Sequence, residues 1–223
     1  RPGLTENRMA SRVRFDLVIF DCDGVLVDSE RITNTVFAAM LNELGLSVTL
    51  GDMFRDFVGR SMGQCLEMIE ARLGHPPPAN LLEEYNARIT VALTRDLQAV
   101  AGIETALDAI DVPVCVASSG DHSKMRTTLG LTGLIDRFSD RLFSVTEVAN
   151  GKPEPDVFLY AAERMGANPA RCAVIEDSAP GVRAGMAAGM TVFGYAALTD
   201  PATLEQEGAV VFHDMAQLPA LLS

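Results

Sequence analysis

Short, continuous apolar runs that alternate with helical patterns constrain the fold of this chain more than any other feature. Runs without polar alternation are typical of parallel strands that are covered on both faces. The runs are Phe15–Phe20, Val112–Ala117, Cys172–Ile175, Thr191–Phe193 and Ala209–Phe212. Strands that alternate with helices require right-handed crossovers within one sheet. The sequence therefore predicts an α/β fold with a doubly wound, parallel-sheet (Rossmann-like) core.

One connection is far longer than a crossover requires. Residues 21–111 separate the first two runs, whereas a crossover needs roughly a dozen residues. Apolar positions at helical spacing predict helices over Ile32–Leu44, Met62–Leu73 and Leu81–Leu97. We therefore predict an inserted helical subdomain at residues 29–97, called the inserted segment below; the resemblance described below implies that it is a cap. The core would comprise residues 13–28 and 98–223, and residues 1–12 would be a flexible N-terminal segment.

Charge and composition limit the partners of the chain. Its 18 basic and 30 acidic residues leave a formal net charge of −12, which argues against binding to nucleic acid or anionic membranes. No stretch approaches the roughly 18 apolar residues of a membrane span, and residues 1–14 lack the apolar region of a secretory signal. The four cysteines form no C-x-x-C pair, so we expect buried thiols in a cytoplasmic protein. A monomer is the default expectation.

Chemically active side chains follow several of the predicted strands. Because ligands of doubly wound sheets bind outside the carboxyl ends of the strands, these side chains are expected to meet at one edge. They are Asp21 and Asp23 after the first run, Ser118 and Ser119 after the second, Glu176 and Asp177 after the third, and Lys152 before a helix start. The sequence therefore predicts a site rich in carboxylates with one lysine.

Such a site favours phosphoryl transfer. Two ionised carboxylates 4 Å apart repel by about 4 kcal/mol at an effective dielectric of 20, and a divalent cation removes that cost. Oxygen ligands indicate Mg²⁺, which keeps room for a phosphate oxygen. Lys152 and Ser118 would hold further phosphate oxygens. If Asp21 is the nucleophile, Asp23 is placed to act as general acid and base.

These motifs resemble those of haloacid dehalogenase-superfamily phosphohydrolases with a helical cap. The resemblance covers residues 13–223, and its four motifs occur in order: Asp21-x-Asp23-Gly-Val, Ser118, Lys152 in Gly-Lys-Pro-Glu-Pro-Asp, and Glu176-Asp177. Residues 22–30 and 112–156 are most similar to the 6-phosphogluconate phosphatase branch, close to the β-phosphoglucomutase-like group.

The resemblance implies a role for each motif residue. Asp21 would form an aspartyl-phosphate, and Asp23 would act as acid and base and lend its carbonyl to Mg²⁺. Asp177 would bind Mg²⁺, and Glu176 would do so directly or through water. Lys152 would bind the phosphate and hold the nucleophile, Asp21, in position. The cap would close over the site and recognise the leaving group of the substrate.

Substrate recognition is less well defined by the sequence. Ser118 and Ser119 are candidate phosphate-binding residues. Arg60 follows a glycine within the inserted segment and is either a ligand for substrate carboxylate or hydroxyl groups or an ordinary surface arginine. Arg31 has a similar but weaker case.

The expected function is Mg²⁺-dependent hydrolysis of a small sugar or sugar-acid phosphate, such as 6-phosphogluconate. The main alternative is a β-phosphoglucomutase-type mutase, but Thr33 occupies the position of its hinge histidine. Val58 and Met62 occupy the positions of its cap lysine and arginine. A non-catalytic binding protein on the same scaffold is a further alternative.

Other relatives of this chemistry fit the sequence less well. A phosphonatase needs a cap lysine, and residues 29–97 contain none. A dehalogenase has no need of an acid/base such as Asp23. A receiver domain lacks the inserted segment.

Overall fold

The computed structural model describes residues 15–58, 60 and 62–223. Within these residues, six parallel strands form one sheet in the order β3-β2-β1-β4-β5-β6. The strands are β1 (Leu17–Phe20), β2 (Val114–Ser118), β3 (Leu142–Ser144), β4 (Cys172–Glu176), β5 (Thr191–Tyr195) and β6 (Val210–Phe212). The predicted Rossmann-like parallel sheet is confirmed. The prediction for residues 1–12 lies outside the described residues.

Helices fill the connections between the strands. In chain order they are α1 (Ser29–Glu43), α2 (Leu50–Asp52), α3 (Met62–Leu73), α4 (Leu81–Asp96), α5 (Ile103–Asp108), α6 (His122–Leu131), α7 (Ile135–Phe138), α8 (Asp156–Met165), α9 (Ala179–Ala187), α10 (Pro201–Gln206) and α11 (Leu218–Leu221). A π-helical turn covers Met53–Phe57. None of the described helices is long and apolar enough to cross a membrane.

Helices pack on both faces of the sheet, because successive strand residues point to opposite sides. Val18 and Phe20 of β1 contribute to the hydrophobic cluster that includes α5, α6 and α11. Leu17 and Ile19 contribute to the cluster formed with α8, α9 and α10. Burial on both faces explains why the strands read as continuous apolar runs.

The structure differs from the prediction mainly at the strands. β3 was not predicted, because three residues are too few for a recognisable pattern. β1 and β2 each begin two residues later than predicted. In β2 the predicted start included Pro113, which has no N–H for the ladder.

The inserted segment has an apolar cluster of its own. Side chains of α1, α3 and α4 form it together with Met53 and Phe57. Its two connections to the sheet run side by side, since Asp28 N–H donates to the Gln98 carbonyl at 2.9 Å and Val100 N–H to the Leu26 carbonyl at 2.9 Å. The inserted helices therefore leave and rejoin the core at one place.

Candidate active site

The site lies where the strand order reverses. From the central β1 the chain runs to β2 and β3 on one side and returns to β4 on the other. Asp21 follows the last residue of β1, and its N–H donates to the Ile175 carbonyl of β4 at 2.9 Å. Glu176 ends β4 and Asp177 comes next. Backbone pairing of two adjacent strands therefore places these acids together at the carboxyl edge.

Lys152 joins the two strand ends. Its Nζ donates to Asp21 Oδ1 and to Glu176 Oε1, both at 2.7 Å, and to the Ala117 carbonyl at 3.1 Å. The side chain is only 5% exposed, and its Nζ lies 4.9 Å from the centroid of the Phe158 ring. All three donors of the ammonium are therefore used, and the lysine is held rigidly between the two carboxylates.

Glu176 organises the loop that follows β4. Its Oε2 accepts from the N–H groups of Asp177 and Ser178 and from the Ser178 hydroxyl, at 3.0–3.1 Å. Ser178 in turn is the N-cap of α9 and accepts from the Gly181 N–H. The buried Glu176 carboxylate thus fixes both Lys152 and the backbone that carries Asp177.

Gly181 is needed for this arrangement. A Cβ built on Gly181 would lie 1.8 Å from Glu176 Oε1, so Gly181→Ala should displace the carboxylate and reduce stability by about 1–3 kcal/mol. Thermal unfolding measures the change. The matched control is Gly130→Ala in α6, where nothing lies within 4 Å and stability should stay the same or rise. Equal Tm values for wild type and Gly181→Ala would contradict this account.

The electrostatics of the site show an excess of negative charge. Burial raises the pKa of Asp21 to about 7, Lys152 opposes this rise, and Glu176 adds to it. Burial and the charges of Glu176 and Asp21 raise the pKa of Asp177 well above its ordinary value. Burial alone would lower the pKa of Lys152, but Asp21 and Glu176 outweigh it and raise that pKa. One lysine therefore does not balance the carboxylates around it.

The donor set fits a small, hard divalent cation. Asp21, Glu176 and Asp177 each place a carboxylate oxygen within 4.8 Å of the other two. Oxygen-only donors and surplus negative charge are what Mg²⁺ requires. The cluster can therefore hold Mg²⁺.

Asp23 lies beside this cluster and is held from two sides. Ser29 Oγ donates to its Oδ1 at 2.6 Å, and Lys124 Nζ donates to its Oδ2 at 2.7 Å. Sequence reasoning did not single out Lys124 as a site residue. The available signal was that the chain contains two lysines and that Lys124 lies six residues after Ser118.

The predicted residues other than Arg31 all line one cavity of about 1530 Å³. Arg31 is not among its lining residues and forms an ion pair with Asp28 instead. Ser118 is buried at the end of β2, and its Oγ accepts from the Gly120 N–H at 3.0 Å, whereas Ser119 is exposed. Arg60 is exposed and donates through Nε to the Asp56 carbonyl at 2.6 Å. Among the described residues, it forms no hydrogen bond with the other predicted site residues.

The inserted segment also lines the cavity. Four of its polar side chains there were not predicted as site residues: Glu30, Thr33, Asn34 and Tyr85. Asn34 Nδ2 contacts the Glu30 carboxylate at 3.3 Å, and Thr33 donates to the Glu30 carbonyl at 3.2 Å. A cavity with carboxylates at its base and hydroxyl and amide groups on its wall is suited to a polar, phosphorylated small molecule.

The parallel α/β sheet and the carboxylate–lysine cluster at its carboxyl edge define the protein as an enzyme of the phosphatase class. The model of the haloacid dehalogenase-like hydrolase family matches residues 15–189, and the chain belongs to this family.

Three known proteins illustrate the similarity. The chain is 31% identical over 209 residues to 6-phosphogluconate phosphatase of Escherichia coli, covering 93% of this chain and 95% of the relative. A haloacid dehalogenase-like protein of unknown function from Agrobacterium tumefaciens superimposes with a TM-score of 0.88 at 34% identity over 93% and 97% of the two chains. The crystal structure of a family hydrolase from Deinococcus radiodurans, with bound phosphate and sodium, superimposes with a TM-score of 0.84 at 31% identity. The match covers 95% of this chain and 99% of that chain.

Proposed function

We propose that this protein is a Mg²⁺-dependent phosphomonoesterase that hydrolyses small sugar or sugar-acid phosphates through an aspartyl-phosphate on Asp21. The observation that carries the proposal is the position of Lys152, 2.7 Å from both Asp21 Oδ1 and Glu176 Oε1. A rigid ammonium beside a buried carboxylate can orient it for attack and stabilise charge on phosphate oxygens. The similarity to 6-phosphogluconate phosphatase supports phosphatase activity on a sugar-acid phosphate.

The residues of the site divide the reaction between them. Lys152 holds Asp21 Oδ1, which leaves Oδ2 to attack phosphorus while the ester oxygen departs. Asp23 donates a proton to the departing oxygen and later removes one from the water that hydrolyses the acyl phosphate. Ser118, Ser119 and the main-chain N–H groups of their loop bind the remaining phosphate oxygens. The products are an alcohol and inorganic phosphate, and Asp21 is restored.

Mg²⁺ would be held by the carboxylates of Asp21 and Asp177 and by the main-chain carbonyl of Asp23. Glu176 already accepts four hydrogen bonds, so its role here is to position Lys152 and Asp177, with any contact to the metal through water. When bound, Mg²⁺ supplies positive charge that offsets the negative charge of the phosphate oxygens and carboxylates.

The inserted segment (residues 29–97) acts as the cap in this proposal. Its side chains Glu30, Thr33, Asn34 and Tyr85 line the same cavity as the carboxylate cluster and are available to hydrogen-bond with sugar hydroxyls. Arg60 lines this cavity as well. Closure of the cap would exclude bulk water from the phosphoryl group before transfer.

Removal of the metal should abolish activity and also lower stability. We expect dialysis against EDTA to reduce phosphate release by at least about 100-fold, and added Mg²⁺ to restore it. Mg²⁺ should also raise Tm, because a ligand that binds the folded state stabilises it. Asp177→Asn should require more Mg²⁺ for the same rise. Full activity in EDTA would overturn the metal dependence.

The function is tested by phosphate release from a panel of phosphomonoesters with and without Mg²⁺. The panel includes 6-phosphogluconate, hexose and pentose phosphates, phosphoglycolate and β-glucose 1-phosphate. The proposal expects Mg²⁺-dependent release that is strongest on a sugar or sugar-acid phosphate. Conversion of β-glucose 1-phosphate into glucose 6-phosphate without release would instead favour a mutase, despite Thr33 at the position of the hinge histidine. Absence of both reactions would favour a binding role.

Cytoplasmic location is part of the same proposal. All four cysteines are buried free thiols, which supports a reducing compartment. Burial raises the pKa of Cys22, the cysteine between Asp21 and Asp23, so this thiol is not a nucleophile.

A further inference from the structure

Lys124 brings a second ammonium group into the active-site cavity. Its Nζ lies 2.7 Å from Asp23 Oδ2, and its side chain is 48% exposed, in contrast to the enclosed Lys152. Lys124 belongs to the first turn of α6, directly after the Ser118 loop. The core therefore presents one cation on Asp21 and another on Asp23.

Two other cations that line the cavity are engaged by carboxylates, and a third, Arg60, donates through Nε to the Asp56 carbonyl. Lys152 uses its three donors on Asp21, Glu176 and the Ala117 carbonyl. Arg55 forms ion pairs with Asp52 and Asp56. The Lys124 ammonium donates one hydrogen bond within the described residues, and an ammonium has three donors. Two donors of Lys124 are therefore available to a ligand while the third holds Asp23.

The chain leaves space for this lysine. A Cβ built on Gly120 would lie 3.1 Å from Lys124 Cδ, so the absence of a side chain at Gly120 lets the lysine stem lie along the Ser118 loop. From there the ammonium reaches Asp23, the residue assigned to the ester oxygen. Lys124 thus lies on the leaving-group side of the site.

The surroundings of Lys124 are strongly acidic. Asp23 contacts it, and the half-buried Glu30 interacts with it electrostatically. A leaving group that carries its own negative charge would be repelled by these two carboxylates. The hydroxyls of the same leaving group would contact Asn34 and Tyr85, which line the same cavity. Lys124 is the group placed to offset the repulsion.

We propose that Lys124 is a specificity-determining residue that binds a carboxylate on the leaving group of the substrate. The proposal deepens the proposed function and rests on it, because it selects polyhydroxy-acid phosphates among sugar phosphates. Asp23 keeps its hydrogen bond to Lys124 when the carboxylate binds, so one ammonium aligns the acid/base with the leaving group.

The test compares two esters that differ only at the far end of the leaving group. They are 6-phosphogluconate, which carries a carboxylate, and glucitol 6-phosphate, which carries an alcohol there. Lys124→Met keeps the stem and removes the charge. We expect it to lower the kcat/KM ratio of the acid ester to the neutral ester by about 10- to 100-fold, the value of a charge-assisted hydrogen bond.

Two further variants serve as controls. Lys124→Arg keeps the charge and should retain most of the preference for the acid ester. Arg126→Met removes an exposed charge from the same helix outside the cavity and should leave the ratio at the wild-type value. Thermal unfolding of each variant reports whether it is folded.

Binding measured on the Asp21→Asn background separates this proposal from the proposed function. Calorimetry would give the affinity of both esters for Asp21→Asn with and without Lys124→Met, with no turnover needed. A fall in both the kinetic and the binding ratio supports the proposal. If the acid-to-neutral ratios of kcat/KM and of affinity both stay within about fivefold of the parent protein, the role of Lys124 is overturned. If no turnover is seen but the ratio of affinities changes, only the proposed reaction is overturned.

Discussion

Replacement of Asp21 by asparagine should reduce phosphate release by at least about a thousandfold, the largest loss expected from any single change in this chain. The amide cannot form the acyl phosphate, and no other carboxylate replaces it. Glu176 is engaged by Lys152 and the loop after β4, and Asp23 by Ser29 and Lys124. The measurement is Mg²⁺-dependent phosphate release under single-turnover conditions.

The fold of this variant should be unaffected, because burial disfavours the charge that the mutation removes. The pKa of Asp21 is raised to about 7, so in metal-free buffer above that pH the ionised group destabilises the protein. Asp21→Asn should therefore unfold at or above the wild-type Tm at about pH 8. Residual turnover close to wild type in a folded variant would disprove a nucleophilic role.

Asp23→Asn distinguishes the acid/base from the nucleophile. With p-nitrophenyl phosphate, whose leaving group needs no proton, the variant should release a burst of about one p-nitrophenol per enzyme and then stall. The burst arises because Asp21 still reacts, whereas hydrolysis of the acyl phosphate lacks its base. Wild-type steady turnover without a burst would contradict this division of roles.

Replacement of Lys152 by methionine should impair both stability and activity. Its ammonium compensates two buried carboxylates, Asp21 and Glu176, and removing one partner of a buried ion pair costs about 3–5 kcal/mol. Phosphate release should fall by at least about 100-fold, since the pre-oriented cation is lost. Thermal unfolding in EDTA and the release assay measure the two effects.

The stability loss should depend on pH in a defined direction. Without Lys152 the pKa of Asp21 rises further, because the charge that opposes its burial is absent. When a carboxyl group has a higher pKa in the folded than in the unfolded state, ionising it destabilises the fold. The protein then loses stability as the pH rises from the unfolded-state pKa to the folded-state pKa. The difference in unfolding free energy between wild type and Lys152→Met should therefore grow as the pH rises through about 7 and above.

The other lysine of the chain provides the matched control. Lys124→Met breaks a half-exposed ion pair and should cost no more than about 1 kcal/mol. Adding Glu176→Gln to Lys152→Met should recover part of the lost stability, since one uncompensated charge is then removed. Equal stability losses for the two lysine variants would show that Lys152 has no special structural role.

The family resemblance and the chemical composition of the site could be predicted from the sequence. Apolar runs followed by Asp21, Ser118 and Glu176 were enough, because parallel strands deliver their carboxyl ends to one edge of the sheet. α3 was predicted with its observed bounds, since its apolar residues keep helical spacing between clear breaks. These features depend on local pattern and on a general property of parallel sheets.

Other features required the tertiary structure. β3 has three residues and is recognised as a strand only by its pairing with β2. Lys124 has the sequence pattern of an ordinary surface lysine, and its contact with Asp23 joins positions 101 residues apart. Glu30 and Asn34 belong to the polar side of α1, a pattern that does not distinguish solvent from a cavity.

The sequence by itself determined which groups meet at the carboxyl edge of the sheet, because Asp21, Ser118 and Glu176 each end or directly follow a strand. The tertiary structure decided which of those groups form ion pairs. Lys152 pairs with Asp21 and Glu176, and Lys124 pairs with Asp23. It also decided which face of the inserted segment meets the site. The physical reason is that pairing and burial depend on distances between remote segments, whereas strand and helix patterns depend on neighbours along the chain.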